Sequence, residues 1–173
     1  MSIVYVDIES TGLNPNVHEV TEIGWVIDGV SDSIVLPHTL ATFEQAALDV
    51  SQYHSRELWD MGRWCMPEDI RDLREKLRGV TLAGCNPHFD AMFLGRLLGG
   101  EVWHYRLLDV AVYAAAVLGE PAPLGAHALY ERFTELGWHL TKPDHSAQRD
   151  ALFAHDLHHA SMAYLSQMQA KGL

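Results

Sequence analysis

Residues 3–9 read Ile3-Val4-Tyr5-Val6-Asp7-Ile8-Glu9, and the run stops at Ser10-Thr11-Gly12. Its β-branched and aromatic residues predict a strand. Successive side chains of a strand point to opposite faces. Asp7 and Glu9 therefore share a face with Ile3 and Tyr5, and Val4, Val6 and Ile8 cover the other. Two positions along a strand span roughly 6.6–6.8 Å, so both carboxylates reach one small site. An acid inside such an apolar strand is costly unless it is paired or bound to metal. Taken alone, Asp-x-Glu is equally well a solvent-facing strand end or a buried ion pair.

Working outward, Asn14-Pro15-Asn16 marks a loop. Residues 21–28 and 31–36 predict two further strands around Asp28-Gly29, a hairpin signal. Residues 43–60 carry short helical patterns without a clean period. Pro67-Glu68-Asp69 opens a helix to about residue 78, since Pro and acids favour a first turn. Residues 80–83 read as a short buried strand and 89–98 as a helix ended by Gly99-Gly100. Residues 105–109 read as a strand, and 110–118, 125–136 and 146–168 as helices. Strand and helix alternate after residue 67, which predicts parallel strands there. The expected fold is α/β: a mixed five-stranded sheet, an antiparallel hairpin start followed by parallel strands, flanked by helices in one domain over residues 1–173.

Composition agrees with a soluble globular protein, with 48% hydrophobic and 20% charged residues over 173 positions. No apolar run is long enough to span a bilayer. The first residues have no basic segment and read as strand, not signal peptide. Cys65 and Cys85 form no Cys-x-x-Cys pair, and a reduced, cytoplasmic setting is expected. The net charge is −11. A nonspecific nucleic-acid binder needs a basic footprint, which this chain lacks. An enzyme that meets phosphate through divalent cations does not.

Two more acids stand out. Asp90 follows one predicted strand and opens a predicted helix, a position that helix-start chemistry alone explains. Asp150 lies on the same face of the last helix as Phe153 and Leu157, in a stripe continued by Tyr164 and Leu165, so it points inward. A buried partner for an Arg is its alternative reading. His145 precedes Asp150 by five positions. On a continuous helix the two would diverge, but from the approach to the helix His145 can fold back over the site. The four acids together fit one chemistry. Hydrolysing a phosphodiester needs a hydroxide at neutral pH and charge stabilisation, which two divalent ions about 3.5–4 Å apart supply. Hard cations such as Mg²⁺ prefer oxygen ligands.

Asp7-x-Glu9, Asn86-x-x-Phe89-Asp90 and His145-x-x-x-x-Asp150 resemble the three motifs of the DEDDh, or DnaQ-like, 3′→5′ exonucleases. The resemblance runs from about residue 3 to 168, and the His spacing selects the His subclass over the Tyr one. It implies a ribonuclease-H-like fold. It implies that Asp7, Glu9, Asp90 and Asp150 ligate two Mg²⁺ or Mn²⁺ ions, with Asp7 bridging, and that His145 is the general base. It implies that Ser10, Thr11, Gly12 and Leu13 hold the 3′-terminal nucleotide through backbone N–H groups, with Leu13 wedged against a base. Asn86 and Phe89 join the substrate-binding set, although packing suffices to explain Phe89. Cys85 stands where His is common in the family, and Ser10 where Thr is.

The expected activity is release of nucleoside 5′-monophosphates from single-stranded DNA or RNA 3′ ends. A noncatalytic nucleic-acid-binding or polymerase-associated module on the same fold is the alternative. So small a chain would draw processivity from a homodimer or a polymerase partner. Of the eleven histidines, His155 and His159 are four apart and could hold a metal, but His155, His158 and His159 fall off the apolar stripe and read as a solvated face. Arg71, Arg74, Lys76 and Arg78 interleave with Glu68, Asp69, Asp72 and Glu75 as a salt-bridged surface. Glu22 before Ile23-Gly24 resembles a frequent acid of that family and reads as structural or as a support behind the metal ligands. Tyr53, Arg56, Trp59, Arg63, Trp64 and Met66 read as core, as a dimer surface or as a stacking wall for bases. Asp109 reads as an N-cap.

Overall fold

The structure, a computed structural model, describes residues 2–61 and 65–172. β1 (Ile3–Ser10) and β2 (Val20–Ile27) pair antiparallel, and β3 (Val30–Val35) pairs antiparallel with β2. The β2–β3 turn holds Asp28 at φ 51° and Gly29 at φ 79°. Two consecutive left-handed residues make the primed turn whose twist matches that of the flanking strands, which is why Asp-Gly stands there. β4 (Thr81–Gly84) and β5 (Leu108–Asp109) add in parallel, giving the sheet order β3-β2-β1-β4-β5. The expected mixed sheet is therefore present. The strand expected over 105–109 shrinks to its last two residues, and Tyr105 is exposed. Only Leu108 and Asp109 pair with β4, opposite Ala83 and Gly84.

The helices are α1 (Gln45–Val50), α2 (Leu58–Met61), α3 (Pro67–Lys76), α4 (Pro87–Leu97), α5 (Val110–Val117), α6 (Ala126–Glu135) and α7 (Ala147–Ala170). They cover both sheet faces. Val4, Val6 and Ile8 pack with Leu73 of α3 and Phe93 and Leu94 of α4. On the opposite face Tyr5, Val26 and Ala83 pack with Ala111, Phe133, Phe153 and Leu157 from α5, α6 and α7. The alternation expected for β1 is thus realised, with the Asp7–Glu9 face turned toward α7. Leu48, Tyr53 and Leu58 form a smaller cluster under Val35 and Leu40. Among the described residues no helix is long and apolar enough to cross a membrane.

Three surface expectations resolve here. The charges of α3 do pair, with Arg71–Glu68 at 2.9 Å and Arg78–Glu75 at 2.6 Å. Asp109 caps α5 by accepting from the N–H of Val112 at 3.1 Å. His158, in contrast, is not on a solvated face. It is buried, hydrogen-bonded to Tyr5 Oη at 2.7 Å and in edge contact with Tyr113. α7 lies on the sheet and on α5 at once, so more of its circumference is covered than one apolar stripe accounts for.

Candidate active site

The sheet register explains why the acids meet. Directly opposed residues of an antiparallel pair share a face, and the rungs Tyr5–Val26, Asp7–Gly24 and Glu9–Glu22 form a row beneath the start of α7. α7 can descend onto that row because Gly24 has no side chain. A Cβ there would lie 2.2 Å from the carbonyl carbon and oxygen of Ala147. Glu22 completes the seat, accepting at Oε2 from the N–H of Ala147, one of the unpaired amides of the helix start, at 3.3 Å. Its structural reading holds, and its side chain is 5% exposed.

Asp150 sits in the first turn of α7. Its Oδ1 accepts from the N–H groups of Asp144 at 2.9 Å and His145 at 3.3 Å, so it folds the preceding loop back over itself. His145 lies outside the helix at φ 61°, a left-handed backbone just before Ser146, the residue that precedes the first turn of α7. His145 Nδ1 is 4.0 Å from Asp150 Oδ2. One ligand atom each of Glu9, His145 and Asp150 falls within a 4.8 Å group. His127, at the start of α6, stacks on the His145 ring with centroids 5.7 Å apart. No motif singled out His127, since its neighbour is eighteen residues away.

Asp90 arrives from the other side of β1. β4 pairs β1 only as far as Tyr5, which leaves the N–H of Ile8 without a strand partner on that edge. Asp90 Oδ1 accepts from it at 2.9 Å, and the side chain is buried. α4 reaches that position through Asn86, which is left-handed at φ 65° and followed by Pro87 in the first turn. Asn tolerates this conformation better than most residues, so Asn86 has a backbone reason to be there.

The expected substrate residues divide. Leu13 and Phe89, with Glu9, Ser10, Ala47 and Val50, line a cavity of about 280 Å³ beside the acids. Leu13 is 69% exposed, while Phe89 also packs on Phe93 with ring centroids 4.9 Å apart. Thr11 faces away from this cavity. It is fully buried, donates from Oγ1 to Thr42 O and accepts there from the N–H of Glu19, and its own N–H donates to Glu19 O. Ser10 donates to Gly12 O. Both hydroxyls are consumed in holding the loop. In the 53–66 segment Tyr53 is core, Trp59 and Met66 are exposed, and Arg63 and Trp64 lie outside the described residues.

Burial raises Asp7, Glu9, Asp90 and Asp150, and repulsion between the acids adds to it at Asp7 and Glu9. Asp7 stands well above the usual carboxylate range, first because it is buried and then because Asp90, Glu9 and Asp150 surround it. Burial, then Asp150 and Glu22, push Glu9 up to about 9, with Arg56 opposing. Asp90 is raised to about 7 by burial despite the Ile8 N–H, and burial raises Asp150 against its two backbone donors. Such crowding of acids calls for cations. The carboxylate oxygens of Asp7, Glu9, Asp90 and Asp150 suit a hard divalent ion. One consequence is measurable. Glu9 near 9 and Asp90 near 7 stand above their ordinary 4.5 and 3.8. The folded state therefore holds more protons than the unfolded one across that window, and stability falls as pH rises through it. Calorimetry in chelator should show the melting temperature dropping from about pH 5 to about pH 9, and Mn²⁺ should restore it most at the alkaline end. A melting temperature flat in pH and indifferent to Mn²⁺ would contradict the electrostatic account.

Neither a family model nor a curated protein matches the sequence. Solved structures do. E. coli exonuclease I in complex with a dT13 oligonucleotide aligns with a TM-score of 0.64 at 13% identity, over 96% of this chain and 41% of that one. The fold is ribonuclease-H-like. The zinc-bound form of the E. coli exonuclease I–single-stranded-DNA complex aligns at 0.63 and 13% identity, over 96% of this chain and 40% of that one. Brucella melitensis NrnC bound to pGG aligns at 0.57 and 16% identity, over 98% of this chain and 76% of that one. The chain thus spans about two fifths of these exonuclease I chains. What is shared at this identity is the fold.

Proposed function

We propose that this chain is a metal-dependent 3′→5′ exonuclease of the DEDDh type, acting on single-stranded DNA or RNA and releasing nucleoside 5′-monophosphates. The observation that carries the reading is the meeting of Asp7, Glu9, Asp90 and Asp150, from three separate elements, with His145 at 4.0 Å from Asp150. The fold shared with structures of an exonuclease on single-stranded DNA supports it.

Asp7, Glu9, Asp90 and Asp150 would hold the ions, Mg²⁺ or Mn²⁺. When bound, such ions supply a metal-lowered water pKa and neutralise charge on the phosphoryl oxygens. His145 takes the proton from the attacking water, as imidazole suits proton transfer near neutral pH. The apolar cavity beside Glu9 takes the terminal nucleotide, with Leu13 and Phe89 against its base.

Incubation of 5′-labelled single-stranded DNA and RNA with Mg²⁺ or Mn²⁺ should give a ladder shortening from the 3′ end, lost with chelator. Intact polymer of both kinds under every metal would refute the reading.

A further inference from the structure

The loop that carries His145 is gripped on both sides, and one side comes from a segment that no motif marks. Its amides, the N–H groups of Asp144 and His145, go to Asp150. Its carbonyls go to residues 51–57. Gln52 Nε2 donates to Asp144 O at 3.2 Å, and Arg56 Nη1 donates to His145 O at 3.2 Å. Arg56 also donates from Nη1 to Ser51 O at 3.2 Å and from Nη2 to Glu22 Oε2 at 2.7 Å. The same Glu22 oxygen receives the N–H of Ala147. One guanidinium thus ties the 51–57 turn, the sheet and the His145 peptide together.

The segment is suited to hold rather than follow. Tyr53 is 1% exposed and packs with Leu48 and Leu58, so the turn is anchored in its own small core. Gln52 and Glu57 are both left-handed, at φ 54° and 53°, and His145 is left-handed too. A non-glycine residue keeps such a backbone only when its surroundings dictate it. For His145 those surroundings are the contacts just named.

We propose that Gln52 and Arg56 are positioning residues for His145, acting through the carbonyls of Asp144 and His145 and not through the acids. This rests on the exonuclease reading, in which His145 is the base. The planar fork of Arg serves three acceptors at once, a task a Lys ammonium of equal charge performs poorly.

The test uses Arg56→Lys, which keeps the charge facing Glu22 and Glu9, and Gln52→Asn, which tolerates the left-handed backbone but stops short of Asp144 O. Thermal melting checks that both fold, and Gln52 is exposed, so its variant carries the test if Arg56→Lys does not fold. Each variant should lower kcat by about 10- to 100-fold, the scale of a misplaced group. Mn²⁺ affinity by titration calorimetry should stay within about twofold of the parent, as expected if no ligand moves. In a His145→Ala background neither variant should lower kcat further. The imidazole cross-peaks of His145 should shift or broaden in both. Unchanged kcat with unchanged cross-peaks overturns the proposal, as does a full additional loss on top of His145→Ala. A parent protein without nuclease activity defeats the exonuclease reading instead, and the cross-peaks then still decide whether Gln52 and Arg56 hold His145.

Discussion

Asp7→Asn is expected to lower kcat by about 10³-fold or more and, in chelator, to raise the melting temperature. Both follow from one carboxylate. Asp7 lies mid-strand with Asp90, Glu9 and Asp150 around it, and their charges reinforce the effect of burial on its carboxyl. Without metal, that crowding opposes folding. An amide of the same shape relieves it, because a neutral polar group costs less to bury than a charged one. With metal the balance reverses under the proposed function, since one of the carboxylates that would hold the ions is gone. A few kcal/mol of lost transition-state stabilisation corresponds to the factor given, at about 1.36 kcal/mol per tenfold. Steady-state rates in saturating Mn²⁺ and calorimetry in chelator check the two halves. Parent-like turnover would remove Asp7 from the mechanism, and a lower melting temperature would contradict the repulsion.

Gly24→Ala should be the most damaging single-methyl change on the sheet. The added Cβ would lie 2.2 Å from Ala147 backbone atoms and 2.3 Å from the Gln148 nitrogen. Backbone at a helix start cannot swing aside as a side-chain tip can, so α7 must lift. Overpacking of this kind costs about 3 kcal/mol, the upper part of its usual range. Lifting α7 carries Asp150 and the His145 loop away from Asp7, the rung partner of Gly24. A shift of about 1 Å at a reacting group costs on the order of 100-fold in rate. Denaturant melts and kcat together give the check, with Gly95→Ala as the control. A Cβ at Gly95 meets only Glu101 Cγ at an ordinary 3.5 Å, and its helical position should leave stability equal or better. Equal behaviour of the two variants would refute the packing argument.

Much of the site was legible in the sequence where a local period decides orientation. The two-residue alternation of β1 put Asp7 and Glu9 on the face of Tyr5, and the helical stripe of Phe153 and Leu157 turned Asp150 inward. Asp28-Gly29 announced its own turn. The expectation for His158 failed because a period says which residues share a face, not how many faces are covered. The strand expected at 105–109 shortened to its last two residues, because a strand is defined by its pairing and only Leu108 and Asp109 pair, with Ala83 and Gly84.

By itself, the sequence determined the sheet's mixed character and which of its acids lie on apolar faces, since backbone geometry repeats every two or 3.6 residues regardless of what lies far away. Only the tertiary structure decided that β4 stops short so that Asp90 can take the Ile8 N–H, that Gly24 makes room for α7, and that Arg56 reaches the His145 carbonyl. Those contacts join residues between 82 and 123 positions apart, from Ile8 with Asp90 to Gly24 with Ala147. They arise from which faces pack together, and no local pattern encodes that choice.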